Sequence, residues 1–414
     1  MNASDRSVLR PLAERYSEIA HLDIQKKRIE RYFKTNARED VRPVLLIDEV
    51  PWGEIRDDSL RNICSKEWGW LEGQMRTALY QWDHFQADRV IPPVFTVTKR
   101  YRFSGIGLEV KEHQIKGDTG AYIAAHEYKD QLATEDDLAK LRNQTITYDP
   151  EATDRAMGQA REVFDGLLPV DLRGMALQHS LWDLIARYRG VENLLMDLAM
   201  RPEFMHKTVA RFTEIAEATF RQLAELDALD SRQLTLHCTA GCARDLPAKD
   251  FAGKTRPKDV WGRCAAQIFG SVSPEMHDEF DLAYNQRLFG ECGLVYYGCC
   301  EPMDSKIDIL RKRFRNLRKV SITPWADPER AAQAMGRDLV MAAKPNPAFV
   351  SSAAFNPGPV EEEMTRYLDA CRRHGTTCEF VLKDISTIAN NPRNLTLWAE
   401  TATRVIDKYY GREE

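Results

Sequence analysis

The feature that most constrains this chain is a rhythm. Short apolar or β-branched runs recur along it, each followed by a longer stretch of helical period. The runs start at Val44 (VLLIDEV), Val94 (VFTVTKRYRF), Leu167 (LLPVDL), Leu234 (LTLHC), Gly293 (GLVYYGCC), Lys319 (KVSITPW), Asp338 (DLVMAAKP) and Cys378 (CEFVLKDI). The spacing predicts helices over 59–87, 135–165, 176–228, 273–291, 303–316, 328–335, 360–374 and 392–410. Strands joined through helices pair in parallel, and eight such units close into a (β/α)8 TIM barrel, an α/β fold in one domain. The competing open doubly wound sheet lacks its phosphate cradle here. No Gly-x-Gly-x-x-Gly follows the first run, where VLLIDEVPWGE offers an acidic turn.

Residues 1–40 read as an N-terminal helical extension, with Leu9, Leu12, Ile19, Ile24, Ile29 and Phe33 spaced among charges, and 41–414 as the barrel. After the second run, GLEVKEHQIKGDTGAY alternates and turns at Gly117-Asp118 and Gly120, which predicts a β-hairpin insertion. The stretch 239–262, with Pro247, Gly253 and Pro257, reads as a long irregular loop over the C-terminal face of the barrel.

Charge narrows the partners. Lys plus Arg number 58 against 63 Asp plus Glu, a net charge of -5, so no global positive field attracts nucleic acid or an anionic membrane. No apolar run reaches the roughly 18–20 residues of a membrane span, and the N-terminus MNASDRSVLRPLAERY is polar where a leader needs an apolar stretch. The expectation is a cytoplasmic protein with a small-molecule substrate. Nine cysteines spread from Cys64 to Cys378 read as free thiols, not as a disulfide framework.

In a barrel, chemistry collects where strands end. The run Tyr296-Tyr297-Gly298-Cys299-Cys300-Glu301-Pro302 brings two thiols and a carboxylate to one such end, donors suited to zinc. Adjacent strand residues face opposite ways, unless Gly298 turns the chain; buried free cysteines are also ordinary core residues. His237 ends the preceding run and is a further metal candidate, the alternative being a structural histidine. The metal candidates are thus His237, Cys299, Cys300 and Glu301. Asp48 and Glu49 form a carboxylate pair for acid–base work, or else a helix cap. Lys344, Lys383 and Asp384 also end strands, each lysine being a site residue or a surface side chain with a buried stem. With Tyr297, the candidates for catalysis are Asp48, Glu49, Lys344 and Asp384. Trp52, Arg173, Tyr296, Trp325 and Lys383 are candidates for holding substrate.

Four segments carry a family likeness: LRG from Leu172, GVENLLMDLAMRPEFMHKTVARFTEIAEATFRQL, SVSPEMHDEFDLAYNQRL, and ADPERAAQAMG. Together with the cysteine-bearing strand they resemble the uroporphyrinogen decarboxylase superfamily over roughly residues 40–410. That superfamily includes zinc-dependent methyltransferases of corrinoid-linked methyl transfer, and the resemblance implies a (β/α)8 barrel. True decarboxylases carry an arginine motif after the first strand to bind substrate carboxylates; this chain has LLIDEVPWGEI there, acidic where the motif is basic. The methyltransferase branch has His-x-Cys after the fifth strand and a cysteine after the eighth. Here Tyr297-Gly298-Cys299 and Cys300 stand at the first position and Lys383-Asp384 at the second. The resemblance therefore implies a zinc methyltransferase whose third ligand comes from Glu301, His237 or Asp384. Its corrinoid would be carried by a partner protein, since no Asp-x-His-x-x-Gly motif is present. A metal-free carboxy-lyase acting on a tetrapyrrole or other carboxylate is the alternative, and a barrel that binds without turnover the third.

Overall fold

A computed structural model describes residues 1–115 and 125–412 of the chain. Its centre is a seven-stranded, wholly parallel sheet. The spatial order is Val44–Ile47, Thr377–Leu382, Val340–Ala343, Leu317–Ile322, Leu294–Tyr297, Trp261–Cys264 and Leu177–His179. Most of these strands are buried along their whole length, which is why VLLI and VMAA read as unbroken apolar runs instead of alternating ones. The first and last strands in sequence are neighbours, with Val44 opposite Glu379 and Ile47 opposite Leu382.

Five of the eight expected strands lie in this sheet, and three do not. Phe95–Thr98 and Val170–Arg173 pair with each other in parallel as a separate two-stranded unit. Among the described residues no ladder joins that unit to the sheet, so the fold is a mixed α/β one around a seven-stranded parallel sheet, and closure into the expected eight-stranded barrel is not seen in the ladders. The run at Leu234 is not a sheet strand. Thr235–Leu236 folds back on Thr239–Ala240 as a minimal antiparallel hairpin. Two sheet strands escaped the periodicity: Leu177–His179, which is short and lies in a stretch read as helix, and Trp261–Cys264, whose WGRC carries an arginine and a glycine.

That second strand also corrects the 239–262 segment. Asp245 pairs with Arg318 at 2.7 Å, and Gly293 N–H donates to the Val260 carbonyl at 3.0 Å. Arg318 and Gly293 sit where their strands begin, so the segment crosses the N-terminal end of the sheet, opposite to the face expected. The insertion hairpin is present, Glu112–Ile115 pairing antiparallel with Ala125–Tyr128; its expected turn at Gly117-Asp118 and Gly120 lies outside the described residues.

Helices flank the sheet, but three expected ones differ: 59–87 is a continuous α-helix only over Gly69–Phe85, 135–165 divides into Glu135–Leu138 and Pro150–Phe164 around the strand Ile146–Tyr148, and 176–228 into Leu181–Arg189, Val191–Met200 and Pro202–Glu225. Pro357–His374 is typical: the Asn356 side chain accepts from Gly358 N–H at its start, a cap worth about 1 kcal/mol. Val360, Met364, Tyr367, Leu368 and Cys371 recur at three- and four-residue spacing and form its buried stripe. It ends at Gly375, whose φ of 66° is left-handed. The amino-terminal helices Ala3–Ala20 and Asp23–Asn36 pack on the body: Leu9, Ala13 and Tyr16 share a cluster with Phe95 and Val97.

The hairpin at 235–240 lies against the sheet and is fastened by charge. Lys319 and Glu379, both without exposed surface, pair at 3.1 Å. Lys319 Nζ donates to Thr239 Oγ1 at 2.8 Å and to the Ala240 carbonyl at 3.0 Å, while Glu379 accepts from Thr239 Oγ1 and from Ala240 N–H. Lys344 Nζ reaches the Cys238 carbonyl at 2.5 Å, and Trp261 Nε1 the Gly241 carbonyl at 2.7 Å. A buried ion pair of this kind is retained only when its remaining hydrogen bonds are made, and here they are made to the hairpin.

Candidate functional site

Three side-chain-bearing residues with left-handed backbone converge past the C-terminal ends of the strands: Glu49 (φ 51°), Cys238 (φ 56°) and Asp384 (φ 55°). Each such residue costs about 1–3 kcal/mol, which the surrounding structure must hold in place. Gly298 joins them at φ 97°, and a Cβ there would sit 3.1 Å from Ser321 Cβ, so the turn needs glycine on both counts. The turn redirects the chain after Tyr297, and the two cysteines that an extended strand would splay apart come together, Sγ to Sγ at 3.7 Å.

Around them a polar cluster closes. Lys383 Nζ lies 3.2 Å from both sulfurs and 2.6 Å from Asp384 Oδ2. The Cys300 thiol faces Asp384 Oδ2 at 2.9 Å, and Cys299 Sγ lies 3.9 Å from His237 Nε2. Asp384 N–H donates to Glu49 Oε2 at 3.0 Å, and Glu49 Oε1 lies 3.6 Å from His237 Nε2. Asp48 accepts from Cys238 N–H at 3.3 Å. Glu49, His237 and Cys238 each offer one ligand atom within 4.8 Å of the others, the arrangement of a small metal site.

The electrostatics separate the two thiols. A hydrogen bond from Cys300, then contacts with His237, Lys383 and Arg263, hold Cys299 far below the usual thiol range despite its burial. Cys300, as the donor to that sulfur and buried beside its charge, is pushed up. Burial raises Cys238 as well. Burial, with the Asp384 charge adding to it, raises Glu49, whereas Lys383 and the Cys300, Lys383 and Glu49 hydrogen bonds keep Asp384 low against its own burial. The cluster thus sets its two thiols apart in acidity, and its two carboxyl groups likewise.

Of the residues singled out from the sequence, His237, Cys299, Cys300, Glu49, Lys383 and Asp384 form this cluster, with Asp48 and Lys344 fixing the Cys238 backbone beside it. Tyr296 is buried on the same side of the sheet, its ring 5.7 Å from Lys344 Nζ. The others lie elsewhere. Glu301, 1% exposed, accepts from Ala266 N–H and Cys299 N–H, both at 3.0 Å; it caps the turn from within and offers no free oxygen pair to the thiols. Tyr297 points through the opposite face, its hydroxyl donating to Asp281 Oδ2 at 2.6 Å beside His277 Nε2 at 2.5 Å. Arg173 is tied to Asp171 and Asp230 in the two-stranded unit. Trp52 packs with Tyr80 and Phe85, and Trp325 is 71% exposed.

Arg263 belongs to the neighbourhood and no periodicity pointed to it, because its strand was read as loop. Beside the cluster opens a cavity of about 520 Å3 that shares His237 and runs past His179, Gln178 and Phe212. Among the described residues no Asp, Glu, Lys or Arg lines it. Burial lowers His179 to about 4, so this wall is uncharged at neutral pH.

No helix among the described residues is long and apolar enough to cross a membrane. No family model and no curated protein matches the chain. Among solved structures it is similar to a methyltransferase from Methanosarcina mazei, at 11% identity over 92% of this chain and 98% of that one, with a TM-score of 0.44.

Proposed function

We propose that the chain is a zinc-thiolate methyltransferase of the corrinoid-linked kind, moving a methyl group between a small substrate or thiol and a corrinoid carried by a partner protein. The observation that carries this reading is the approach of both Cys300 and His237 to the Cys299 sulfur, beside the Glu49, His237 and Cys238 group. Zinc bonds sulfur at about 2.3 Å and imidazole nitrogen at about 2.0 Å, which sets tetrahedral edges of roughly 3.4–3.8 Å. The Cys299–Cys300 and Cys299–His237 separations, 3.7 and 3.9 Å, are close to two edges of that frame. Three protein ligands leave the fourth position to substrate, with Glu49 taking over the carboxylate role expected of Glu301.

Bound there, zinc would supply a Lewis acid that makes a thiol a thiolate or polarises a methylated heteroatom. The chain's own groups do the rest. Asp384, at 2.9 Å from the Cys300 thiol and half exposed, takes its proton toward solvent when that thiol becomes a ligand. Lys383 donates to both sulfurs and balances their charge. Glu49 orients His237 from 3.6 Å.

Metal analysis of the purified protein tests the reading. About one zinc per chain is expected, lost in Cys299→Ser and His237→Ala with folding retained; a metal-free chain that transfers methyl groups at full rate overturns it. The Lys383 ammonium, seated 3.2 Å from both sulfurs, favours a second reading, a metal-free carboxy-lyase in which that cation stabilises developing negative charge. Carbon dioxide release without zinc separates the two.

A further inference from the structure

Arg263 is 7% exposed, and its Nε and Nη2 have no hydrogen-bond partner among the described residues. Among the described residues its one hydrogen bond is a long one, Nη1 to Ser180 Oγ at 3.5 Å, and none of their carboxylates lies within ion-pair distance. A guanidinium stays charged at any pH a protein meets, so burial with most of its five donors idle is strongly unfavourable unless something supplies the missing acceptors. The other buried cations described above are matched: Lys319 has Glu379, Lys383 has Asp384, and Lys344 reaches the Cys238 carbonyl. Arg263 is the exception to an otherwise consistent pattern.

Its position says what the missing acceptor is for. In the sheet register Arg263 stands opposite Tyr296 on one side and Gln178 on the other. Gln178 lines the cavity, in which no Asp, Glu, Lys or Arg is found among the described residues. Arg263 does not itself line the cavity but adjoins it through Gln178, and a guanidinium there is placed to grip the head of a molecule whose body fills that cavity. The cavity volume suits a small organic ligand, which such sites enclose at about 300–1,000 Å3.

We infer that Arg263 is a substrate-binding residue for an oxyanion, a carboxylate or a group of like geometry, carried on an uncharged and largely apolar body. Two idle donors on one planar fork match the two oxygens of such a head, a recognition that a lysine does not reproduce. The inference extends the proposed function by naming a substrate class, and it rests on that reading only in taking this end of the sheet as the substrate site.

Calorimetric titration of the full chain with benzoate, benzamide and benzylamine tests it, with zinc content measured on the same preparations. Benzoate is expected to bind at least tenfold more tightly than benzamide or benzylamine. Arg263→Met should abolish that preference without lowering the melting temperature of the ligand-free protein, because it removes an unpaired buried charge. Arg263→Lys, which keeps the charge and loses the fork, should bind benzoate several-fold more weakly than wild type, and it decides the matter if Arg263→Met does not fold. Equal binding of benzoate and benzamide, undiminished benzoate binding in either variant, or no binding to wild type overturns the inference. A zinc-free chain that still selects benzoate through Arg263 would sink the zinc reading and leave this one standing.

Discussion

Two groups of buried charge lie on the same side of the sheet and are built to opposite ends. The pair Lys319–Glu379 has no exposed surface, and both partners spend their remaining bonds on the 235–240 hairpin. The group at the strand ends is half open, carries left-handed backbone at three residues, and crowds two sulfurs against one ammonium. The first is electrostatics completed; the second is electrostatics left for a visitor to complete. Buried charge therefore marks a functional place only when its bonding is unfinished, which is the criterion that separates Arg263 from Lys319.

Breaking the finished pair should have the largest effect. Lys319→Met strands Glu379 in a dry interior and is expected to cost about 3–5 kcal/mol by denaturant unfolding, with Lys319→Met/Glu379→Leu regaining a large part of it. Equal instability of single and double variants would show that the hairpin contacts, not the pair, carry the stability. Next comes Tyr297→Phe, on the opposite face. Removing the hydroxyl that bridges His277 and Asp281 should cost about 1–3 kcal/mol while leaving zinc content unchanged. A loss of metal in that variant would mean the two faces are coupled through the Gly298 turn.

The smallest effect belongs to the unfinished group. A thiol held low stays reactive as pH falls, so alkylation of Cys299 in the metal-free protein should persist into mildly acidic solution. Lys383→Met removes one of the interactions holding it there. The pH profile should shift upward, so that the fall in alkylation on acidification sets in at a higher pH than in the unaltered chain. An unmoved profile would assign the low value to Cys300 and His237 alone.

The helices and the buried strands were legible because each has a period that composition does not hide. VLLI and VMAA are apolar throughout, as is EFVL after Glu379, and they are buried along their whole length. Trp261–Cys264 was missed for a physical reason: Arg263 points into the molecule and Gly262 is forced by Phe289 and Cys292, which a Cβ would meet at 2.6 and 2.9 Å. A strand shaped by function and by close packing loses the hydrophobic signature that would reveal it. LTLHC fails in the other direction, since Leu236 and Cys238 are buried in a hairpin that leans on the sheet without joining it.

At the strand ends, residue type alone brought out His237, Cys299, Cys300, Lys383 and Asp384. What a linear reading could not supply was direction. Glu301 looked like a ligand beside two thiols, yet the Gly298 turn sends it inward to the amides of Ala266 and Cys299. Tyr297 looked like its neighbour Tyr296, yet strand alternation places it on the far face.

The edge formed by Val44–Ile47 and Thr377–Leu382 joins the beginning of the sheet to its end, and Asp384 N–H closes on Glu49 across 335 positions of chain. During synthesis, then, the early carboxylate waits for nearly the whole polypeptide. A nascent chain halted short of residue 377 has its two cysteines and its histidine but neither Lys383 nor Asp384 to organise them. The contacts around the two sulfurs are thereby completed only once residue 384 has been made.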